Sequence, residues 1–316
     1  MNQLKSIWIF KFFSLILVLA IFLLAFTSDI FSDNENYQKE FNDNYSIFAV
    51  PLPEDLNFAN EKVPLSNFDT YESYDRELLI NTYWQSQTLI FIKKSYRYFP
   101  IIEPILKKYN VPVDFKYLAI AESGLSNVVS PAGAVGFWQF LKGTGKEYGL
   151  EINEEIDERY HIEKSTEAAC KYFLKMYEYY QNWTLVAASY NNGKSGLDKQ
   201  IKIQKQNNYY DLLLNEETAR YIFRILAIKT ILNKPDKYGF HFRSSDLYQP
   251  IETYLVEVNA SVNDFADFAK KYDINYKVLK YFNPWLRKNY LTNHKKNKYF
   301  IKIPYKFERD FTSKVE

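Results

Sequence analysis

The chain is 316 residues long, 47% hydrophobic and 25% charged, with a formal net charge of +2. That is the profile of a globular protein of one large or two medium domains, and the near-balance of charge, with no basic stripe among the aromatics, points away from nucleic acid as the main partner. A single cysteine, Cys170, excludes an intramolecular disulfide. His161, His241 and His294 are scattered singly, so no metal or other cofactor is expected. Aromatic residues reach 18%, but Tyr, Phe, Asn, Lys and Ile are high together, and the excess carries no functional argument.

In chain order, residues 1–27 come first, as a signal peptide or membrane anchor. Lys5 and Lys11 precede "FFSLILVLAIFLLAF", which is apolar except for Ser14. From Ile7 to Phe26 the run is long enough to cross a bilayer core of roughly 30 Å. Lysines before it and the acidic "SDIFSDNENYQKE" after it place the rest outside the cytoplasm, in the periplasm or cell envelope, free or anchored. Without a cysteine near the end of the segment, a lipid anchor is not expected. Residues 28–74 are polar, contain Pro51, Pro53 and Pro64, and read as an extended linker or a surface strap.

A helical region follows over 75–243. Helical spacings run from Asp75 to Asn110, interrupted at Pro100 and Pro104, which suggests two or more helices. "VPVDFKYLAIAES" is the next, with Pro112 and Asp114 in its first turn. Beyond a glycine-rich stretch, "STEAACKYFLKMYEYYQ" starts at a candidate cap, Ser165, and "NWTLVAASYNNG" stops at Gly193. "NEETARYIFRILAIKTIL" ends before Pro235. After the polar "RSSDLYQPIE", residues 250–306 read as strand, helix, helix, strand. The fold expected is therefore mainly α with a small βααβ module at the C-terminus.

All nine glycines lie between Gly124 and Gly239, six of them between Gly124 and Gly149, which marks a backbone that needs positive φ or close approach. Just before them, Glu122 follows Phe115, Leu118 and Ala119 at spacings of seven, four and three, so its carboxylate shares an apolar face. Partial desolvation there raises a carboxyl toward neutrality, as a general acid requires. Taken alone, a glutamate at a helix end is more often solvated.

The wider pattern decides between these. Glu122-Ser123, "SPAGAVGFWQF" (130–140), "STEAA" (165–169), "ASYNNG" (188–193) and "ETARY" (217–221) occur in the order seen in lytic murein transglycosylases, the goose-lysozyme-like glycosidases acting on bacterial peptidoglycan, and the chain resembles that family over about 75–240. Within the family it is most similar to the membrane-bound murein transglycosylase D type. The resemblance implies a lysozyme-like helical fold, Glu122 as sole acid/base, and Ser123, Gln139, Tyr190, Asn191 and Tyr221 as substrate-binding or supporting residues. Trp138 and Glu217 are expected in structural roles, and Asp114 and Glu147 in no catalytic one.

It implies further that Glu122 protonates the oxygen between N-acetylmuramic acid and N-acetylglucosamine, and that the muramyl 6-hydroxyl closes a 1,6-anhydro ring without water. The peptidoglycan glycan strand is the expected partner. Hydrolysis by the same acid, and a non-catalytic wall-binding role, are the alternatives. The tail resembles a LysM module in "YLVEV", Leu279-x-x-x-Asn283 and "YFIKIP", whereas "WLRKNYLTNHKKNK" is longer and more basic than usual and lacks the customary glycine.

Overall fold

A computed structural model describes residues 35–36, 38–41, 43 and 48–305. The segment expected as signal or anchor lies outside the described residues. Among those described, no helix is long and apolar enough to cross a membrane. The chain divides at Ala49/Val50 into two units. In the first, residues 35–36, 38–41 and 43 are helical.

The second unit is mainly α, with two small antiparallel sheets. Where the sequence suggests a linker, it opens with a hairpin of β1 (Asn57–Phe58) and β2 (Glu61–Lys62). Leu56, Phe58 and Val63 are buried, and Phe58 meets the Phe115 ring at 5.2 Å. Few apolar residues among many polar ones hide such a segment from a periodicity reading, yet each buries enough surface to pin it.

Helices α1 (Phe68–Tyr83) and α2 (Gln85–Lys108) part at Trp84 rather than at the prolines. Pro100 and Pro104 sit inside α2 on one exposed face, so the carbonyls they leave unbonded can turn to water and the helix continues. Next come α3 (Phe115–Ser123), the short α4 (Lys142–Glu147), α5 (Ile162–Tyr180), α6 (Trp183–Asn192), α7 (Lys194–Gln204) and α8 (Glu216–Asn233). α5 begins at Ile162, three residues ahead of Ser165, with His161 at its cap. Asn182 and Asn215 cap α6 and α8 by accepting the Leu185 and Thr218 N–H groups at 2.8 and 3.0 Å. Glu61 of the hairpin adds a second cap to α6, accepting from Trp183 and Thr184 N–H at 2.5 and 2.9 Å.

Three packed helix pairs set the frame. α1 packs along α8, tied by the Tyr74 and Thr230 hydroxyls at 2.7 Å and by Arg220 to the buried Glu77 at 2.6 Å. α5 packs against α2 and α6. At its middle the fully buried Phe173 touches the rings of Phe115, Trp138 and Tyr190, at 4.3, 5.8 and 5.2 Å. Truncating such a side chain to Ala costs about 3–5 kcal/mol. Here it would also remove the support behind Tyr190.

The C-terminal module pairs β3 (Thr253–Val258) with β4 (Tyr299–Pro304) in antiparallel register, Val256 opposite Ile301, around α9 (Phe265–Lys270) and α10 (Tyr276–Phe282). Phe265, Leu279, Ile301 and Ile303 form its core, and Ile156 from the helical domain joins them. Backbone bonds cross the seam from Asp157 N–H to the Trp285 carbonyl (2.9 Å) and from Arg287 N–H to the Glu155 carbonyl (2.7 Å). The module is thus hydrogen-bonded onto the helical domain.

Candidate functional site

Glu122 is in the last turn of α3, which ends because Gly124 adopts φ 58°. A side chain there would also collide with Phe91, 2.9 Å from where a Cβ would stand. The chain then folds over 125–140 into a compact loop, with bridges pairing Val135 to both Val129 and Phe140. Gly136, at φ 82°, lets this loop lie on the Arg159 carbonyl, 2.0 Å from its absent Cβ, so no other residue fits.

Half-buried as a residue, Glu122 keeps one side open while its carboxyl is packed among protein atoms. Tyr221, on the inward face of α8, donates its hydroxyl to Glu122 Oε1. Burial pushes the Glu122 carboxyl up to about 7; the Tyr221 bond pulls it down, the charge of Glu217 adds to the rise, and Arg224 opposes it. Tyr190, from α6, donates to the Trp138 carbonyl at 2.5 Å, and burial lifts the Tyr190 and Tyr221 hydroxyls well above the usual phenol range. Both phenols feel the Glu122 charge, which places the three groups together.

Asn191 stands beside Tyr190 and is fixed from α8. Its Nδ2 donates to Glu217 Oε1 at 3.0 Å and its Oδ1 accepts from the Thr218 hydroxyl at 2.8 Å. Ser123 turns away from open space: its hydroxyl donates to the Phe137 and Ala119 carbonyls at 2.9 and 3.1 Å, stapling the loop to α3. Gln139, at φ 50°, uses its side-chain nitrogen on the Gly136 and Val128 carbonyls (2.7 and 3.1 Å), which leaves its side-chain oxygen as the atom a ligand can reach. Trp138 is fully buried and donates to Thr166 Oγ1 at 2.8 Å, a wall residue. Asp114 receives the Ala59 N–H and the Lys229 ammonium, each at 2.7 Å, and Glu147 pairs with Lys175 at 2.9 Å.

The structure thus brings Glu122, Tyr190 and Tyr221 into one cluster, with Asn191 held at its edge. Ser123 and Gln139 brace the adjoining loop. Two charged groups of α8 act on the acid beyond what the sequence reading assigns: Glu217, and Arg224, whose only sequence signal is that it lies one turn after Tyr221. Among the described residues no group of three or more His, Cys, Asp or Glu is placed to hold a metal. A single half-buried carboxyl near neutrality, supported by phenols, can give and take one proton.

A helical domain built round such an acid, followed by a βααβ module, matches two domain families. Residues 99–213 match the transglycosylase SLT domain, and residues 254–306 match the soluble lytic transglycosylase C-terminal LysM-like domain. The chain therefore carries an SLT transglycosylase domain followed by a LysM-like domain. Similar over 184 residues, at 30% identity, are proteins named membrane-bound lytic murein transglycosylase D from Escherichia coli K12 and from Escherichia coli O6:H1 strain CFT073. The match covers 56% of this chain and 40% of each relative, so the chain matches less than half the length of either. Glu122, Gln139, Tyr190 and Asn191 fall inside the SLT match, whereas Glu217, Tyr221 and Arg224 lie beyond it.

Proposed function

We propose that the protein is a peptidoglycan lytic transglycosylase of the cell envelope, with residues 75–243 as catalytic domain, residues 250–306 as LysM-like module, and residues 1–27 as export signal or anchor. The observation that carries this reading is the Glu122 carboxyl, held near pH 7 by burial and gripped by Tyr221. Near neutrality a large fraction of that carboxyl is protonated and able to act as an acid. The SLT match and the two relatives supply the reaction class.

Glu122 gives its proton to the oxygen linking N-acetylmuramic acid to N-acetylglucosamine, and the C–O bond breaks toward the departing N-acetylglucosamine. The 2-acetamido group of the muramyl sugar shares the positive charge at the anomeric carbon. The same carboxylate, now ionised, takes the proton of the muramyl 6-hydroxyl, whose oxygen bonds to the anomeric carbon and closes the anhydro ring. One proton leaves Glu122 and one returns, so a second carboxylate is not required, unlike the usual two-carboxylate arrangement of glycosidases. Tyr221 orients the acid, Tyr190 and Asn191 face the cleaved sugar, and Gln139 offers its oxygen.

Mass spectrometry of products from purified sacculi tests this. Expected are 1,6-anhydromuramyl ends, lost in Glu122→Gln. Reducing muramyl ends would mean hydrolysis instead, and unchanged products from Glu122→Gln would mean that Glu122 is not the acid.

A further inference from the structure

A cavity of about 260 Å³ opens in the seam between the helical domain and the C-terminal module. Neither Glu122 nor any of its polar neighbours lines it, but it shares a wall with their site. Asn127 and Phe137 of the loop border it, and the Phe137 carbonyl is the one that Ser123 holds. The cavity depends on both domains, with Arg97 and His161 from one side and Trp285 and Lys302 from the other.

Its charges do not cancel. Lys302 is matched by Glu163, whose carboxyl burial alone would raise, but which Lys302 and His161 together hold down at about 2. Arg97 has no such match: among the described residues it donates to the Gln249 carbonyl (3.0 Å) and the Tyr281 hydroxyl (2.9 Å) and lies 5.4 Å from the centre of the Tyr248 ring, none of which is a counter-ion. His161 Nδ1 stands 3.2 Å from Glu163 Oε2, so these two groups are taken up with each other and with Lys302. The cavity therefore offers a cation without a counter-ion and an apolar lining that includes Trp285 and Phe137. It is below the roughly 300–1,000 Å³ of drug-sized pockets, too small for a run of sugars.

We propose that this seam cavity binds the carboxylate end of a short wall peptide, one of the stems carried by muramyl sugars, with Arg97 pairing to the carboxylate. The proposal rests on the peptidoglycan reading above and deepens it. Arg meets a carboxylate through two parallel N–H groups, and such pairs discriminate strongly against the neutral amide. A stem seated here would hold its strand against the loop that walls the Glu122 site, so peptide-bearing strands become the preferred substrate.

The test is a calorimetric titration of the full chain with muramyl dipeptide and with its carboxyl-amidated form, on wild type, Arg97→Gln and the cavity-filling Ile251→Trp. We expect the amidated form and Arg97→Gln each to weaken binding by about tenfold or more, as loss of one charge-assisted pair predicts, and Ile251→Trp to abolish it. In parallel, both variants should cleave peptide-stripped strands like wild type while losing the preference for peptide-bearing ones. Equal binding of the two forms, no binding, or binding untouched by both variants overturns the proposal. Loss of cleavage on stripped strands in both variants also overturns it, because the seam would then be shaping the catalytic site. A wild type that cleaves no strand defeats the function reading alone, since the titration still decides the cavity.

Discussion

Two glutamates of this chain, Glu122 at the end of α3 and Glu163 at the start of α5, are subject to the same leading force and end far apart. Burial is the largest influence on each and raises both. Glu122 has a neutral phenol as its hydrogen-bond partner and an acidic neighbour, and rises to about 7. Glu163 sits against Lys302 and His161 and falls to about 2. The charge of the partner, not the depth, separates a proton donor from a structural ion pair. One carboxyl works by being costly to ionise. The other joins two domains because its ionised form is matched.

The largest expected effect comes from removing the first carboxyl. Glu122→Gln should lower turnover on sacculi by 10²-fold or more, on the order of what one general acid contributes. It should also stabilise the fold at neutral pH. A carboxyl whose folded value is raised contributes stability that is complete below the ordinary 4.5 and lost as pH rises through about 7. Glu122→Gln should therefore match wild type in thermal stability near pH 4.5 and exceed it by roughly 1–3 kcal/mol at pH 8. A variant no more stable at pH 8 would mean that the carboxyl is not strained by burial.

Breaking the second pair should do the reverse. Lys302→Met leaves Glu163 without its cation, but a third of the Glu163 side chain is open and water softens the loss. A cost of about 1–3 kcal/mol at pH 7 is expected by denaturant unfolding, below the full penalty for a deeply buried charge. For a depressed carboxyl the contribution is present above 4.5 and lost as pH falls toward about 2. The gap between variant and wild type should accordingly narrow in acid. A gap constant with pH would assign the loss to packing of the lysine stem.

Much of the first region is legible in the sequence, and little of the second. Apolar spacing before Glu122 and the glycines after it mark a carboxyl beside a tight loop; Tyr190, Asn191 and Tyr221 enter only through the family resemblance, and the structure brings Tyr190 and Tyr221 to the Glu122 carboxyl. Positive φ at Gly124 and Gly136 is visible as glycine, and at Gly136 backbone 2.0 Å from where a Cβ would stand leaves room for no other residue. The roles of Ser123 and Gln139 as loop braces are not visible, since each bonds to backbone carbonyls whose positions only the fold sets. The hairpin at 57–62 and the seam escape for a related reason. Glu61 capping α6 spans more than 120 residues, and Ile156 joining the C-terminal core carries no periodic signal. Pro100 and Pro104 mislead because their exposure, which permits an unbroken α2, is a tertiary property.

A smaller effect should come from Tyr221→Phe. The phenol favours the carboxylate form of Glu122, so its loss should raise the carboxyl further and move the alkaline limb of kcat/KM to higher pH. Turnover at the optimum should still fall, by about tenfold, because the acid loses the group that aims it. A fall without any movement of the limb would leave Tyr221 as packing alone.

The smallest and most discriminating change is at Glu217. Its charge raises Glu122, so Glu217→Gln should shift the alkaline limb to lower pH, opposite to Tyr221→Phe. The glutamine keeps an oxygen to accept from Asn191, which isolates charge from geometry. Because Glu217 is exposed, added salt should mimic the substitution in wild type and do less in the variant, as screening requires. Arg224→Gln should push the limb the other way, since that cation now lowers Glu122. Opposite shifts from two exchanges on α8, with the acid itself untouched, would show that partner charge sets where this carboxyl works. Parallel shifts would leave burial alone in control.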